Sequence, residues 1–485
     1  MELKLSHDEP VRANTHTFLK EGFFVKKFKK VLALSLAVAM GLSLAACGNN
    51  NTSTADPNAG TDTPTEDNNG GDANNGNGET FYIYVWNNEY RDLMAKYMPG
   101  YTADDDHMGG YMDDGTRIQF VENENANMNY QNKLDAALTD GSQVDMFLVE
   151  ADYAIKYTGA NAGVAMDVKD LGFTDDDLNN FYQYTVDVVT DGGVTRGVSW
   201  QAAAGFLVYN ADIAEEVLGV RSSDEVQEFV KDWDAFADTA AKMKDAGYTM
   251  VTDYQEGSRV FNAKRSTPWV QDGVINVPSE VEEWTEMAKG WYDNGYMAGG
   301  ATWDGAGNWG NGMRENNFCY FGCTWYLLWS MDEQMDGNSK WSICQGPDAY
   351  YWGGTWLCAG ANCTNKDLAY EIMYAMTADP AVAEEIAKGD LNFPNNKEAA
   401  AAVAAANVDV GRDWLDLGDS NYFAFCKDAA DQIEVKNMTP YDQMIETYQS
   451  VMGEYFAGET SKDDAMKNFY STVTEQWPSL SAPEE

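Results

Sequence analysis

The chain has 485 residues, with 32 Lys and Arg against 78 Asp and Glu and a formal charge of −46. So acidic a protein repels phosphate backbones and anionic headgroups, which argues against nucleic-acid binding and peripheral docking on lipid and leaves neutral or cationic ligands. Setting aside a leader-like N-terminal stretch leaves about 400 foldable residues, enough for two domains with a core each.

In chain order, the first element is a targeting signal. Lys26, Lys27, Lys29 and Lys30 precede an uncharged run of 16 residues, Val31 to Ala46. That is shorter than the roughly 20 residues a membrane-spanning helix needs, so a cleaved signal is expected. Leu44-Ala45-Ala46-Cys47 resembles the bacterial lipobox, which makes Cys47 the expected lipidation site. Glu2, Asp8, Glu9 and Glu21 do not suit a signal; Val25 is the expected start, because Lys20-Glu21-Gly22 can be encoded as a ribosome-binding site upstream of a GTG codon. From Cys47 onward, 25 basic and 74 acidic residues remain, a charge of about −49; most of it reads as a solvated coat that keeps an exported protein soluble.

Gly48 to Glu79 holds no aromatic, branched aliphatic or basic residue and reads as a tether; its 32 residues give a coil reach of roughly 30 Å. A strand is then expected at Phe81–Trp86, followed by strands over Arg117–Val121 and Val144–Val149, with a helix through Met128, Leu134 and Leu138 between the last two. This alternation predicts an α/β fold with a mostly parallel sheet. Further helices are expected where Phe236, Ala240 and Met243 share a face before Gly247, and where Ser279 and Glu282 form a capping box ahead of the stripe Val281, Trp284, Ala288 and Trp291. Pro440 is expected to open a helix with Met444, Tyr448, Val451 and Tyr455 inward, and Ser461 another with Ala465, Phe469 and Val473 inward, closed by Pro478.

Two polar turns stand at the carboxyl ends of predicted strands, where open α/β sheets bind ligands: Asn87-Asn88-Glu89 and Glu150-Ala151-Asp152-Tyr153. Carboxylates and amides suit sugar hydroxyls, although Asn88 or Asp152 could instead cap a helix. Ten of the 15 tryptophans fall between Trp269 and Trp356, and indoles pack on the C–H faces of sugars. Trp284, Trp291 and Trp341 read as core; Trp303, Trp309, Trp325 and Trp352 lie beside glycines or turns, where a ring is displayed. Cys319, Cys323, Cys344, Cys358, Cys363 and Cys426 leave disulfides and buried thiols both open. With His107 the one histidine after the leader and no second Cys pair to match Cys319 and Cys323, no metal site is expected.

The segment Ser199-Trp200-Gln201-Ala202-Ala203-Ala204-Gly205-Phe206-Leu207-Val208-Tyr209-Asn210, with Asp212-Ile213-Ala214 and Leu218-Gly219, resembles the crossover of extracellular solute-binding proteins for carbohydrates, the maltose-binding-protein-like family. The resemblance continues in Val144–Phe147, Glu150–Tyr153, Gly346-Pro347, Trp352–Trp356 and Asn365–Asp379. It implies a two-lobed α/β fold of the periplasmic-binding-protein type, lobe one at 80–200 plus 354–405 and lobe two at 205–350 plus 410–478, joined by a three-segment hinge with the ligand cleft between them. The ligand-binding candidates are Asn88, Glu89, Asp152, Gln201, Trp269, Trp303, Trp325, Trp352 and Tyr422. Tyr153 stands where the maltose binder has a basic residue and Gln201 where it has a hinge carboxylate, which puts maltose itself in question. The expected protein is a monomer with no catalytic residue, cofactor or nucleic-acid partner. It would bind a neutral carbohydrate, serve the transmembrane permease subunits of an ABC importer, and sit on the outer face of the cytoplasmic membrane, held only through its lipid. The rivals are a secreted glycoside hydrolase and a peptide or polyamine binder.

Overall fold

A computed structural model describes residues 80–484; Cys47, the apolar run before it and the Gly48–Glu79 tract lie outside the described residues. Fourteen strands are described: β1 (Thr80–Val85), β2 (Tyr101–Ala103), β3 (Gly109–Met112), β4 (Arg117–Glu122), β5 (Met146–Glu150), β6 (Thr190–Asp191), β7 (Val194–Thr195), β8 (Val198–Ser199), β9 (Gly205–Asn210), β10 (Val270–Gln271), β11 (Val274–Ile275), β12 (Cys319–Cys323), β13 (Trp341–Cys344) and β14 (Thr355–Ala359). Seven form one sheet in the order β2-β3-β4-β1-β5-β14-β8, and β12-β9-β13 form a second; β6-β7 and β10-β11 are small ribbons.

The unbroken apolar character of β1 and β5 follows from burial on both faces. Phe81, Ile83 and Val85 enter one core with Met146 and Leu148, while Tyr84, Phe147 and Val149 enter another on the opposite face. Strand β9 does the same in the small sheet: Leu207 and Tyr209 point to one core, Phe206 and Val208 to the other. The large sheet is more mixed than expected. Strands β4 and β5 flank β1 in parallel, but β2, β3, β8 and β14 all pair antiparallel. The links β2–β3 and β3–β4 are too short for the crossover that parallel pairing demands.

The chain leaves the large sheet after β8, enters the small one at β9, and returns through Tyr350–Gly354 to β14. Gly205 sits in this passage because a Cβ there would lie 2.5 Å from the Tyr350 ring. Two further isolated bridges, Gln201 with Pro394 and Ala204 with Tyr351, tie the crossing segments together.

The helix faces follow their periods. Phe236, Ala240 and Met243 are buried on Trp233–Ala246, which Gly247 ends at φ 94°, and Val281, Trp284, Ala288 and Trp291 are buried on Ser279–Asp293. Ser461 caps Lys462–Gln476 by accepting the Asp464 N–H. Three details differ. The Ser279/Glu282 capping box does not form, because the helix already begins at Ser279 with Pro278 in the cap position. The helix expected from Pro440 starts at Met444, and Met452 and Phe456 are buried where Val451 and Tyr455 were expected to be; those two are only partly covered. The six described cysteines are all free thiols. No described helix is long and apolar enough to cross a membrane.

Candidate functional site

A cleft of about 410 Å³ opens where the carboxyl ends of β1 and β5 face the segments around β12, within the size range of small-molecule sites. Trp86, Asn87 and Glu89 come from the end of β1, Glu150 ends β5, Gln201 comes from the passage between β8 and β9, and Gly353, Gly354 and Thr355 lead into β14. The opposite wall is built by Gln255–Arg259, Thr302 and Trp303, Phe321 of β12, Trp325, Tyr326 and Trp329 behind it, and Glu446 and Gln449.

Four indoles dominate that wall. Trp303 is 52% exposed and holds a left-handed backbone at φ 73°, a costly conformation for a large residue that local packing must maintain. Its ring is stacked on Trp325, with centroids 6.2 Å apart, and lies 5.7 Å from Trp352. The Trp325 N–H donates to the Trp352 carbonyl at 2.9 Å, so Trp325 offers a ligand its ring rather than its donor. A π-helical turn, Tyr326–Met331, follows and carries Trp329, 37% exposed, into the lining.

The polar groups of the cleft are unevenly satisfied. Glu89, at the start of the helix Glu89–Tyr97, keeps Oε1 covered and without a hydrogen-bond partner, and burial pushes its carboxyl up to about 8. Gln201 is 4% exposed and its Oε1 is likewise unpartnered. Glu150 accepts the Asp152 N–H at 2.9 Å, and burial, then the Asp152 charge, raise its pKa well above the usual carboxylate range. Glu256 accepts the Phe321 N–H at 2.7 Å and is raised by burial, then by Asp253. Arg259 is the cation among the lining residues: it donates to Asp152 at 2.5 Å, lies 3.9 Å from Glu446, and has its Cζ 5.7 Å from the Trp352 ring centre. Burial works against its charge, and the surrounding carboxylates, Asp152 first, hold its pKa above the ordinary value.

The structure thus gathers Glu89, Gln201, Trp303, Trp325 and Trp352 at one cleft. Asp152 reaches that cleft through Arg259, and the helical turn Ala151–Tyr153 in which it sits is capped by Glu150, which accepts the Asp152 N–H. Asn88 is exposed, does not line the cleft, and donates to Asp92 at 2.7 Å; its neighbour Asn87 accepts the Glu89 N–H and lines the cavity instead. Trp269 is a correction: it is fully buried, donates to Asn262 at 3.0 Å and packs on Tyr448 and Phe469. Tyr422 is another, since it is 2% exposed, packs on Phe423, and borders a separate groove formed by the 407–420 loop. Trp309, expected on display, is buried and donates to the Tyr326 hydroxyl at 2.8 Å. Sequence reasoning passed over Trp86, Arg259, Glu256 and Gln449; a lone arginine after Gly257-Ser258 in so acidic a chain was the available signal.

No curated protein sequence matches the chain. Among solved structures, a protein described as an extracellular solute-binding protein family 1 member superposes with a TM-score of 0.67 at 16% identity, covering 82% of this chain and 99% of that one. A binding protein associated with an ABC transporter of B. animalis subsp. lactis Bl-04, in complex with β-1,6-galactobiose, matches at 0.60 and 17%, covering 84% and 100%. The galacto-N-biose-/lacto-N-biose I-binding protein of Bifidobacterium longum matches at 0.60 and 14%, covering 84% and 98%. These likenesses establish the two-lobed binding-protein fold. The family model of bacterial extracellular solute-binding proteins matches residues 111–411, well over half of the chain, and the protein belongs to that family of solute binders rather than to a family of enzymes.

Proposed function

We propose that this protein is the lipid-anchored binding component of an ABC importer, which takes up a carbohydrate, most simply an oligosaccharide, and passes it unchanged to the membrane permease subunits. The observation that carries this reading is the pairing, in one cleft, of displayed tryptophan faces with buried acceptors that have no partner. Indole faces pack on the C–H faces of sugar rings, and a carboxylate or amide oxygen takes the hydroxyls around the ring. The galactobiose and lacto-N-biose complexes of the structural neighbours support it by analogy of fold. In this reading, lobe one (80–200 with 354–405) and lobe two (205–350 with 410–478) close about the crossing segments near Gln201, and sugar bridging both lobes shifts the population toward the closed form. Residues 1–46 are a signal, Cys47 carries the lipid, and 47–79 tether a monomer to the outer face of the cytoplasmic membrane.

Thermal melts against a panel of neutral and amino-bearing oligosaccharides test the binding. A cognate sugar at a hundredfold excess over its Kd stabilises the fold by about 2.7 kcal/mol and is recovered intact. Cleaved product tracking with the purified protein would transfer the assignment to a hydrolase, and a panel without a single shift would end the carbohydrate reading. For the anchor, mass spectrometry of membrane fractions is expected to find a diacylated Cys47 as the first residue, with Cys47→Ser releasing or stranding the precursor; membrane protein that keeps residues 25–46 would overturn it.

A further inference from the structure

The geometry points to a ligand with a positive charge: a carbohydrate bearing a free primary amine, held as an ammonium group between the Glu89 carboxylate and the tryptophan faces. This rests on the carbohydrate reading and adds a charge requirement to it. The charged side chains lining the cleft are Glu89, Glu150, Glu256, Glu446 and Arg259, four acids to one base. The guanidinium is already engaged by a fifth acid, Asp152, and Glu256 is engaged by the Phe321 N–H. Glu446 is half exposed and faces the same guanidinium at 3.9 Å.

Glu150 accepts the Asp152 N–H at 2.9 Å and has its charge partly offset by Arg259, which leaves Glu89, whose covered Oε1 has no hydrogen-bond partner. Parallel pairing of Ile83 with Met146 and of Tyr84 with Phe147 sets the ends of β1 and β5 side by side, so Glu89 and Glu150 line the same cleft. A sugar hydroxyl can satisfy the lone pairs of a buried carboxylate but leaves its charge uncompensated, which is the costlier term. Burial pushes the Glu89 carboxyl up to about 8, the mark of a charge with no partner. An ammonium group supplies that partner and brings three N–H donors.

Two independent features of the cleft agree. Gln201, 4% exposed with an unpartnered oxygen, lines the same cavity and awaits a polar ligand group. The indoles offer cation–π surfaces, and Trp352 already takes one cation, with Arg259 Cζ 5.7 Å from its ring centre. A metal ion does not fit this chemistry, since among the described residues no three acids, histidines or cysteines converge as ligands would.

Calorimetry at neutral pH with the glucosamine disaccharide, its N-acetylated counterpart and the neutral glucose disaccharide of the same linkage decides the matter. The free amine is expected to bind at least about tenfold tighter than either neutral sugar, and Glu89→Gln to reduce that preference to about threefold or less, because a buried charge pair is lost. The variant's melting curve shows that the fold survives, and the ratio of amine to neutral affinity within the variant is read, since a general loss of sugar binding leaves that ratio unchanged. Equal affinities for the three sugars, or no heat from the amino sugar at millimolar concentration, overturn the proposal. Neutral sugars binding without amine preference would leave the carbohydrate reading standing, whereas spermidine binding with no sugar bound at all would remove both.

Discussion

Trp284→Ala is expected to destabilise the protein by about 3–5 kcal/mol, the cost of a void left by a fully buried indole, while leaving the ligand affinity of the folded fraction nearly unchanged. Trp284 is 0% exposed. Its ring packs on Phe456 and Tyr448, with centroids 5.4 and 6.2 Å away. Its N–H donates to the Glu256 carbonyl at 3.0 Å, so the truncation also strands a buried acceptor. Trp325→Ala is expected to behave in the opposite way. Its ring is only partly buried at the cleft wall, so stability falls by only about 1 kcal/mol and sugar affinity falls at least about tenfold. Denaturant melts and calorimetry on the same preparations separate the two classes. Wild-type affinity in Trp325→Ala would take that ring out of the site, and a loss below about 1 kcal/mol in Trp284→Ala would mean that its surroundings collapse into the void.

These two tryptophans also mark what the sequence makes legible. Trp284 announces itself by its place in the stripe Val281, Trp284, Ala288 and Trp291, because a helix exposes its buried face as a period of about 3.6 residues. Loop tryptophans carry no such period. Trp269 stands in a bend before β10 and Trp325 opens the short turn Tyr326–Met331, neither long enough to show a period, yet the first is folded down onto Tyr448 and Phe469 and the second faces the cleft. A loop's neighbours decide between these outcomes, and those neighbours are remote in sequence.

The strand ends were legible for a related reason. The turn after β1 and the last residue of β5 line the cleft because parallel neighbours share a carboxyl end. The exact residue was less legible than the turn: Asn87 and Glu89 line the cavity, while Asn88 between them faces solvent. The sheet's mixed character was hidden because strand β14, which closes on β5, is separated from it by more than two hundred residues. Arg259 was missed on the same ground: its partner Asp152 lies 107 residues away, and a salt bridge has no signature along the chain.

That ion pair yields the last prediction. Asp152 follows β5, and Arg259 lies on the helix Ser258–Ala263, whose buried residues pack into the core shared with the small sheet. The pair thus joins the elements around one sheet to those around the other, with side chains only 9% and 15% exposed. Asp152→Ala removes the shorter of the arginine's two contacts and leaves a largely buried guanidinium facing Glu446 at 3.9 Å. The expected loss is about 3 kcal/mol, at the low end for breaking a buried pair because Glu446 remains. Arg259→Met frees the acids instead, and the double variant is expected to be less destabilised than the two single losses summed, by about 1–3 kcal/mol of coupling. Urea melts of the four proteins measure this. A cost of about 1 kcal/mol or less for Asp152→Ala with no coupling would mean that the Asp152–Arg259 contact stabilises the fold no more than an exposed ion pair does.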